Sequence, residues 1–388
     1  KEVSLGTLDG VTGMVFYKNN YFLSTNQCGL YVLTDNRITS QIKANLFDAE
    51  SLKSNNINIS HLSKENVLWL GSDHGLTGLL IEGSGFNTYR PSANYEQGLM
   101  SENVWSFLKY GENILIGTDQ GVSSLNMLSG TFQHYPRQNT NQSSDGSVMD
   151  IESVNQKSQL LACYDGVFLF TQNAIEKFIA IEIKDQKIKE KHKHFYQLLK
   201  YDNDYIIGTS AGLLILDINT RQFQEIYLPW KDQVRQISMD AQGKVWVLFE
   251  NKGLFQFKRM KDKYSAVPFN HNKYLLSATA DPLTCFVTLD DGSFFIGTMG
   301  SGIIRINANN GAIKSVRKKD GLPNNTINAL VLDQWGNIWC TTNRGLCCLK
   351  NSGSMNSMHS NSGLEPNEYN MNSAYFDEKG KKIGRAHV

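Results

Sequence analysis

Three carboxylates recur where a repeating chain pattern turns back on itself: Asp73 in GSDHG, Asp119 in GTDQG and Asp165 in CYDG. Glycoside hydrolysis needs two carboxylates meeting at about 5–10 Å, one as acid and one as nucleophile or base. These three fall at the same turn position of successive repeats, so a local role, in which a short acidic side chain bonds nearby backbone N–H groups, accounts for them without catalysis. The same turns carry His74, Gln120, Tyr164, Asn343 and Arg344, and a neighbouring connection carries Trp230. Amides, carboxylates, aromatic rings and an arginine gathered on one face suit a polar ligand, through stacking and hydrogen bonds. Turn residues are polar by default, so the expectation rests on the face as a whole. His74 has no companion at metal-ligand spacing, and the chain holds no serine nucleophile elbow, phosphate loop or zinc motif. No catalytic residue, metal or cofactor is expected.

What positions these turns is a repeat. A few apolar residues, often followed by Gly-Thr or Gly-Ser, lead within a few residues to another Gly and a second apolar run. Copies are LWLGSDHGLTGL from Leu68, ILIGTDQGVSSL from Ile114, YIIGTSAGLLIL from Tyr205, FFIGTMGSGIIRI from Phe294 and IWCTTNRGLCCL from Ile338. Degenerate copies start at Tyr21, Leu160 and Val245. The later glycines, Gly29, Gly75, Gly121, Gly166, Gly212, Gly253, Gly302 and Gly345, are separated by 41 to 49 residues. Short β-branched and aromatic runs broken by Gly, Asn and Asp at this period are the pattern of four-stranded blades set around an axis. In the third period the strands, lettered A to D in chain order, are NVWSFLKY, NILIGT, GVSSLN and TFQHY. The fold class is therefore an all-β propeller of four-stranded antiparallel blades, eight in number, with seven or nine as alternatives. Its D–A and B–C connections share one face, which carries the candidate residues above. Trp69, Trp246 and Trp339, equivalent in strand B, are expected to pack between blades rather than to stack on sugars.

The ends raise the question of closure. KEVSL, at residues 1–5, stands where a strand D would lie and is expected to complete the last blade, so that residues 1–350 form one closed propeller and no sheet edge is left open. NSGSMNSMHSNSG reads as a linker and NEYNMNSAYFDEKGKKIG as the start of a further, truncated blade within 351–388, with residues 384–388 a possible remnant of cloning. The charged stretch from Ile181 to His194 reads as a solvated insertion. Lys and Arg number 38 against 37 Asp and Glu, and no basic stripe is present, which argues against nucleic acid. No apolar run reaches 18 residues and the first residues lack the pattern of a signal peptide, so no membrane contact by this chain is expected. The six cysteines contain no CxxC pair and read as core thiols.

DGLPNNTINALVLDQWGNIWCTTNRGL from Asp320 and QGLMSENVWSFLKYGENILIGTDQGV from Gln97 resemble the two-component regulator propeller repeat. The likeness covers almost the whole chain and is weakest in the fourth and sixth blades. It implies a periplasmic or extracytoplasmic sensor region of a bacterial membrane-bound receptor, such as a hybrid histidine kinase or a diguanylate cyclase. It further implies an oligosaccharide as possible ligand, homodimerisation in the full receptor, and signalling output outside this chain. A propeller enzyme acting on polysaccharide, hydrolase or lyase, is the alternative. A protein-interaction scaffold is a third reading, against which the Gly-His and Trp-Asp pairs of tryptophan-aspartate repeats are absent.

Overall fold

The computed structural model describes residues 10–387 apart from 36, 45–51, 53, 63–66, 81–88, 90, 93–95, 138–145, 173–176, 261–262, 334, 352, 359–367 and 377–381. Among the described residues the chain forms seven four-stranded antiparallel sheets, one of three strands and one of two. The strands of the third period fall where the sequence puts them, at Val104–Tyr110, Asn113–Thr118, Gly121–Asn126 and Phe132–Pro136. Eight blades are present, divided between two compact units, Lys1–Asn87 and Thr88–Val388.

The first unit holds blades one and two, whose strands A are Val11–Tyr17 and Ile57–Leu62. Thr12 Oγ1 donates to the Ile57 carbonyl at 2.5 Å, stitching one blade to the next, over a core of Phe22, Leu30, Ile57, Leu68 and Leu70.

The second unit holds blades three to eight, with strands A at Val104–Tyr110, Val148–Ser153, Phe195–Tyr201, Val234–Met239, Leu283–Thr288 and Ile327–Leu332. Each strand A lies beside that of the following blade. The strand Glu368–Phe376, paired with Lys382–His387, lies beside the strands A of blades eight and three and so closes the succession within this unit. Expectations about the ends change accordingly. Met355–Met358, inside the stretch read as linker, is a strand paired to Gly345–Leu349 and completes blade eight. That is the place expected for residues 1–5, which lie outside the described residues. The further-blade segment forms the closing hairpin, and residues 384 and 386–387, read as a remnant, are paired within it.

Every strand A carries a β-bulge after its first residue, as between Val104 and Ser106, Val148 and Asp150, and Val234 and Gln236. A bulge bends and twists the strand locally, and here it turns the residues beside it toward the meeting point of the strands. The Gly-Thr phrase has two physical causes. A Cβ on Gly208 would sit 2.6 Å from Val234 Cγ1, and one on Gly297 2.8 Å from Ile327 Cγ2, each the first residue of the next blade, so the glycine sets the blade spacing. The hydroxyl that follows locks the B–C turn. In six blades the Oγ of Thr25, Ser72, Thr118, Thr209, Thr298 or Thr342 donates to the carbonyl of the later glycine at 2.6–3.0 Å. The later glycines other than Gly166 have φ between 78° and 133°, the left-handed region that favours glycine.

The tryptophans hold two kinds of contact. Trp246 Nε1 donates to Asp240 and Trp339 Nε1 to Asp333, tying strand B to the A–B turn. Trp246 also packs edge-on against Phe294 of blade seven, 4.8 Å between centroids, the expected inter-blade role. Five of the six cysteines are buried and all are free thiols. The charged insertion contains a short helix, Gln186–Lys191, capped by Asp185, and a second helix, Asn272–Ala278, occupies the D–A connection before blade seven.

Candidate ligand face and axial cavity

The B–C turns hold one residue in the same backbone position in each blade of the second unit: Asp119, Tyr164, Ser210, Glu250, Met299 and Asn343. In the first five its N–H donates to a D–A connection carbonyl at 2.9–3.2 Å, pinning it near the start of strand A. The backbone is thus constant while the side chain varies. Asp165 lies one place further on, so Asp73 and Asp119 are equivalent to each other but not to Asp165, a correction to the sequence reading; Tyr164 takes the equivalent place.

Each carboxylate has a structural partner. In the first unit, Asp73 accepts from Asn56 Nδ2 at 3.0 Å and lies 2.9 Å from Nδ1 of the exposed His74. In the second, Asp119 accepts from Asn103 Nδ2 at 3.1 Å, while Asp119 Oδ1 and Asn103 Oδ1 are buried with no partner among the described residues. The Gln120 carbonyl accepts from the Arg137 N–H at 2.9 Å. Asp165 binds Arg137 Nη2 at 2.5 Å, and that guanidinium lies 4.0 Å from the centre of the Phe168 ring. Arg137 was not singled out in the sequence, because its partner belongs to the next blade. Asn343 accepts from Asn328 Nδ2 at 2.8 Å, and the Arg344 N–H donates to Thr342 Oγ1 at 3.0 Å. Trp230 is placed differently from the others: its indole packs edge-on against Phe249 at 4.8 Å and tilted against Phe255 at 5.4 Å, half-buried against the core of blades five and six.

Around Tyr164 the structure assembles a group that sequence reading missed. Its ring stacks on His194, 4.0 Å between centroids and 18° between planes, with Tyr196 edge-on at 6.1 Å. Burial pushes the Tyr196 phenol up to about 12, so it stays a neutral donor. Arg235, from strand A of blade six, pairs with Glu250 at 2.7 Å, both largely buried. The only available signal was that His194, Tyr196 and Arg235 each stand at or next to the start of a strand A.

A cavity of about 180 Å³ lies where the strands A meet, its wall including Trp105, Ser106, Asp150, Gln197 and Gln236 from blades three to six. Several of these residues also join blades. Ser106 Oγ donates to the Val148 carbonyl at 3.0 Å, Gln236 accepts from the Phe286 N–H at 2.7 Å and donates to its carbonyl at 3.0 Å, and Asp150 Oδ2 accepts from the Leu198 N–H at 2.8 Å. Asp150 Oδ1 accepts from the Ile151 N–H. Burial pushes the Asp150 carboxyl up to about 7 against the pull of these two bonds.

Four-stranded antiparallel sheets whose strands A converge define a β-propeller. The family model of the two component regulator propeller matches residues 321–344, which run from the start of blade eight through its strands A and B. Among solved structures, the chain is similar to the extracellular domains of two hybrid two-component systems from B. thetaiotaomicron. One is 20% identical with a TM-score of 0.67 over 96% of this chain and 50% of that one; the other is 18% identical with a TM-score of 0.60 over 96% and 52%. The chain thus spans about half the length of these domains. Virginiamycin B lyase from Staphylococcus aureus is similar at 14% identity and a TM-score of 0.55, over 74% of this chain and 95% of the lyase. No curated protein matches the sequence. No helix among the described residues is long and apolar enough to cross a membrane.

Proposed function

We propose that this chain is the ligand-reading propeller of an extracytoplasmic receptor of the two-component type, binding a polar ligand such as an oligosaccharide on the B–C and D–A loop face of its second unit. The observation that carries this reading is the constant turn with a varying residue. Backbone hydrogen bonds fix Asp119, Tyr164, Ser210, Glu250 and Met299, Asn343 stands at the equivalent place, and each position carries different chemistry. A rigid frame lowers the ordering cost of binding, which is how preorganised sites gain affinity. The family match and the likeness to sensor ectodomains support the same reading and placement outside the cytoplasm. The lyase likeness is one of fold, and Asp73, Asp119 and Asp165 each have a structural partner, in Asn56, Asn103 and Arg137.

The test is a thermal-shift screen of the purified chain against oligosaccharides, since a ligand that binds only the folded state raises its midpoint by mass action. A shift with one glycan class, weakened in Tyr164→Ala and Asn343→Ala and without product formation, is the expected result. Turnover of the glycan would replace this reading with the enzyme.

A further inference from the structure

The turn lock of blade five carries a group that the other locks lack. In each of the six blades with a hydroxyl lock, that hydroxyl donates to the later glycine's carbonyl and accepts from one backbone N–H of the turn. In blade five alone, among the described residues, a further side chain joins it: Nδ1 of His192 lies 2.6 Å from Thr209 Oγ1. His192 follows the short helix Gln186–Lys191 of the charged insertion and is buried, 2% exposed. Its other ring nitrogen, Nε2, lies 3.2 Å from Glu225 Oε1, and the same oxygen pairs with Lys191 Nζ.

The protons around Thr209 can be counted. Its hydroxyl has one proton, which goes to the Gly212 carbonyl at 2.9 Å, and its oxygen accepts from the Ala211 N–H at 3.2 Å. Toward His192 it therefore presents a lone pair, and Nδ1 must carry a proton. Glu225, paired with Lys191, is a carboxylate that only accepts, so Nε2 must carry one as well. Only the imidazolium satisfies every contact. The neutral ring has a single N–H. Kept on Nδ1, it leaves the Nε2 lone pair facing a carboxylate. Kept on Nε2, it retains the bond to a charged acceptor, the stronger of the two, and Nδ1 draws the Thr209 proton away from the Gly212 carbonyl. The second arrangement avoids the repulsion and costs the turn its lock. Burial pushes the His192 imidazole down, the bond and charge of Glu225 pull it up, and Lys191 and Lys231 add to the downward push. These charged groups act on it from strand D, the helix and the D–A connection, and their balance holds it below the ordinary histidine value.

We propose that His192 is a proton-operated latch on the B–C turn of blade five: the imidazolium joins Thr209 to Glu225 with the turn locked, and loss of its proton moves the Thr209 hydroxyl from the Gly212 carbonyl to Nδ1 and unlocks the turn. Ser210 stands inside that turn, so the latch would regulate the ligand face. That consequence rests on the sensor reading, whereas the latch itself does not.

The experiment uses the whole chain with its eight histidine rings labelled with nitrogen-15 and followed by nuclear magnetic resonance as pH is varied, His192 being assigned by its loss in His192→Gln. The expected result is a transition, below the ordinary histidine range, from the doubly protonated ring to the Nε2–H tautomer. Hydrogen exchange read by mass spectrometry then compares the blade-five turn in the wild type and in His192→Gln at each pH, which cancels the intrinsic pH dependence. Exchange of the wild type relative to the variant should rise about fivefold across the same interval, the effect of losing one hydrogen bond. The blade-three turn, locked by Thr118 without a histidine, should keep a constant ratio. Glu225→Gln, which removes the counter-charge, should move the ring's transition to lower pH, and Lys191→Ala should move it to higher pH; these two variants decide the matter where His192→Gln fails to fold. A ring that stays in one protonation state throughout, or that deprotonates to the Nδ1–H tautomer, overturns the proposal, as does an exchange ratio indifferent to the transition. If a glycan raises the thermal midpoint while His192 never titrates, the sensor reading stands and the latch falls. A working latch in a chain that answers to no glycan keeps the latch and removes the ligand face.

Discussion

Asp150 offers a measurable consequence of how the blades are joined. Its carboxyl is enclosed where the strands A converge and is pushed up to about 7 by burial, from an ordinary 3.8. The folded state therefore binds a proton that the unfolded chain has already released. For a group raised in this way, the contribution to stability is fully present below the unfolded value and is lost as pH rises through the folded one. The whole window, from about 4 to about 7, is worth about 4 kcal/mol, and the part between pH 5 and pH 7 about 2 kcal/mol, because the slope of 1.36 kcal/mol per pH unit falls off as the folded carboxyl becomes half ionised near pH 7. Other groups titrate nearby. Burial pushes Glu152 up as well and pushes the His192 imidazole down, so the wild-type profile alone would mix three effects. The comparison with Asp150→Asn isolates one of them, because the amide resembles the neutral acid and cannot ionise. Urea unfolding of both proteins at pH 5, 6, 7 and 8 should show the stability difference moving toward the variant by about 3 kcal/mol, most of it complete by pH 7. Carboxylates held below the ordinary range, such as Asp217 and Asp333, act only below about pH 4 and do not intrude. A difference that stays flat from pH 5 to pH 8 would refute the argument and mean that water in the cavity solvates the ionised carboxylate.

Two further substitutions test the repeat itself. Gly208→Ala forces a methyl group to within 2.6 Å of Val234 Cγ1 and 2.9 Å of its Cβ; the cost of that overpacking should be about 1–3 kcal/mol, read as a lower urea midpoint. Asp333→Ala removes an acceptor used by the N–H groups of Trp335 and Asn337, by Asn337 Nδ2 and by Trp339 Nε1. It should destabilise by about 2 kcal/mol and change the fluorescence of Trp339, whereas an unchanged midpoint would show that water replaces the carboxylate at this turn.

Much of the propeller was legible because its causes are local. A threonine that locks a turn and an aspartate that bonds the next strand's tryptophan act within a few residues, so each leaves the same mark wherever it recurs. What stayed hidden depends on partners some 28 to 50 residues away. The Arg137–Asp165 pair, the Gln236 clamp on Phe286 and the Asp150 bond to Leu198 join different blades, and none has a spacing that repeats. Closure was misplaced for a related reason. Ser and Asn in SMNSM suggested a linker, yet an edge strand needs only backbone pairing on one side and tolerates poor strand formers. Trp230 was drawn toward the ligand face by residue type, whereas its neighbours Phe249 and Phe255 hold it against the core.

The division of labour within strand A connects these points to recognition. Its first residue is a core residue in every blade of the second unit: Val104, Val148, Phe195, Val234, Leu283 and Ile327 are all buried. The bulge then breaks the alternation immediately after it, and the next two positions are free to be Trp105 and Ser106, Met149 and Asp150, Tyr196 and Gln197, or Arg235 and Gln236. Without the bulge, strict alternation would send one of each pair back toward the neighbouring sheet, where a carboxylate or guanidinium would be costly. A bulge in every blade therefore lets polar residues line the meeting point of the strands while the anchor beside them stays apolar. Substitutions at these two positions can change what the axis and its rim recognise without disturbing the residue that holds the blade in place.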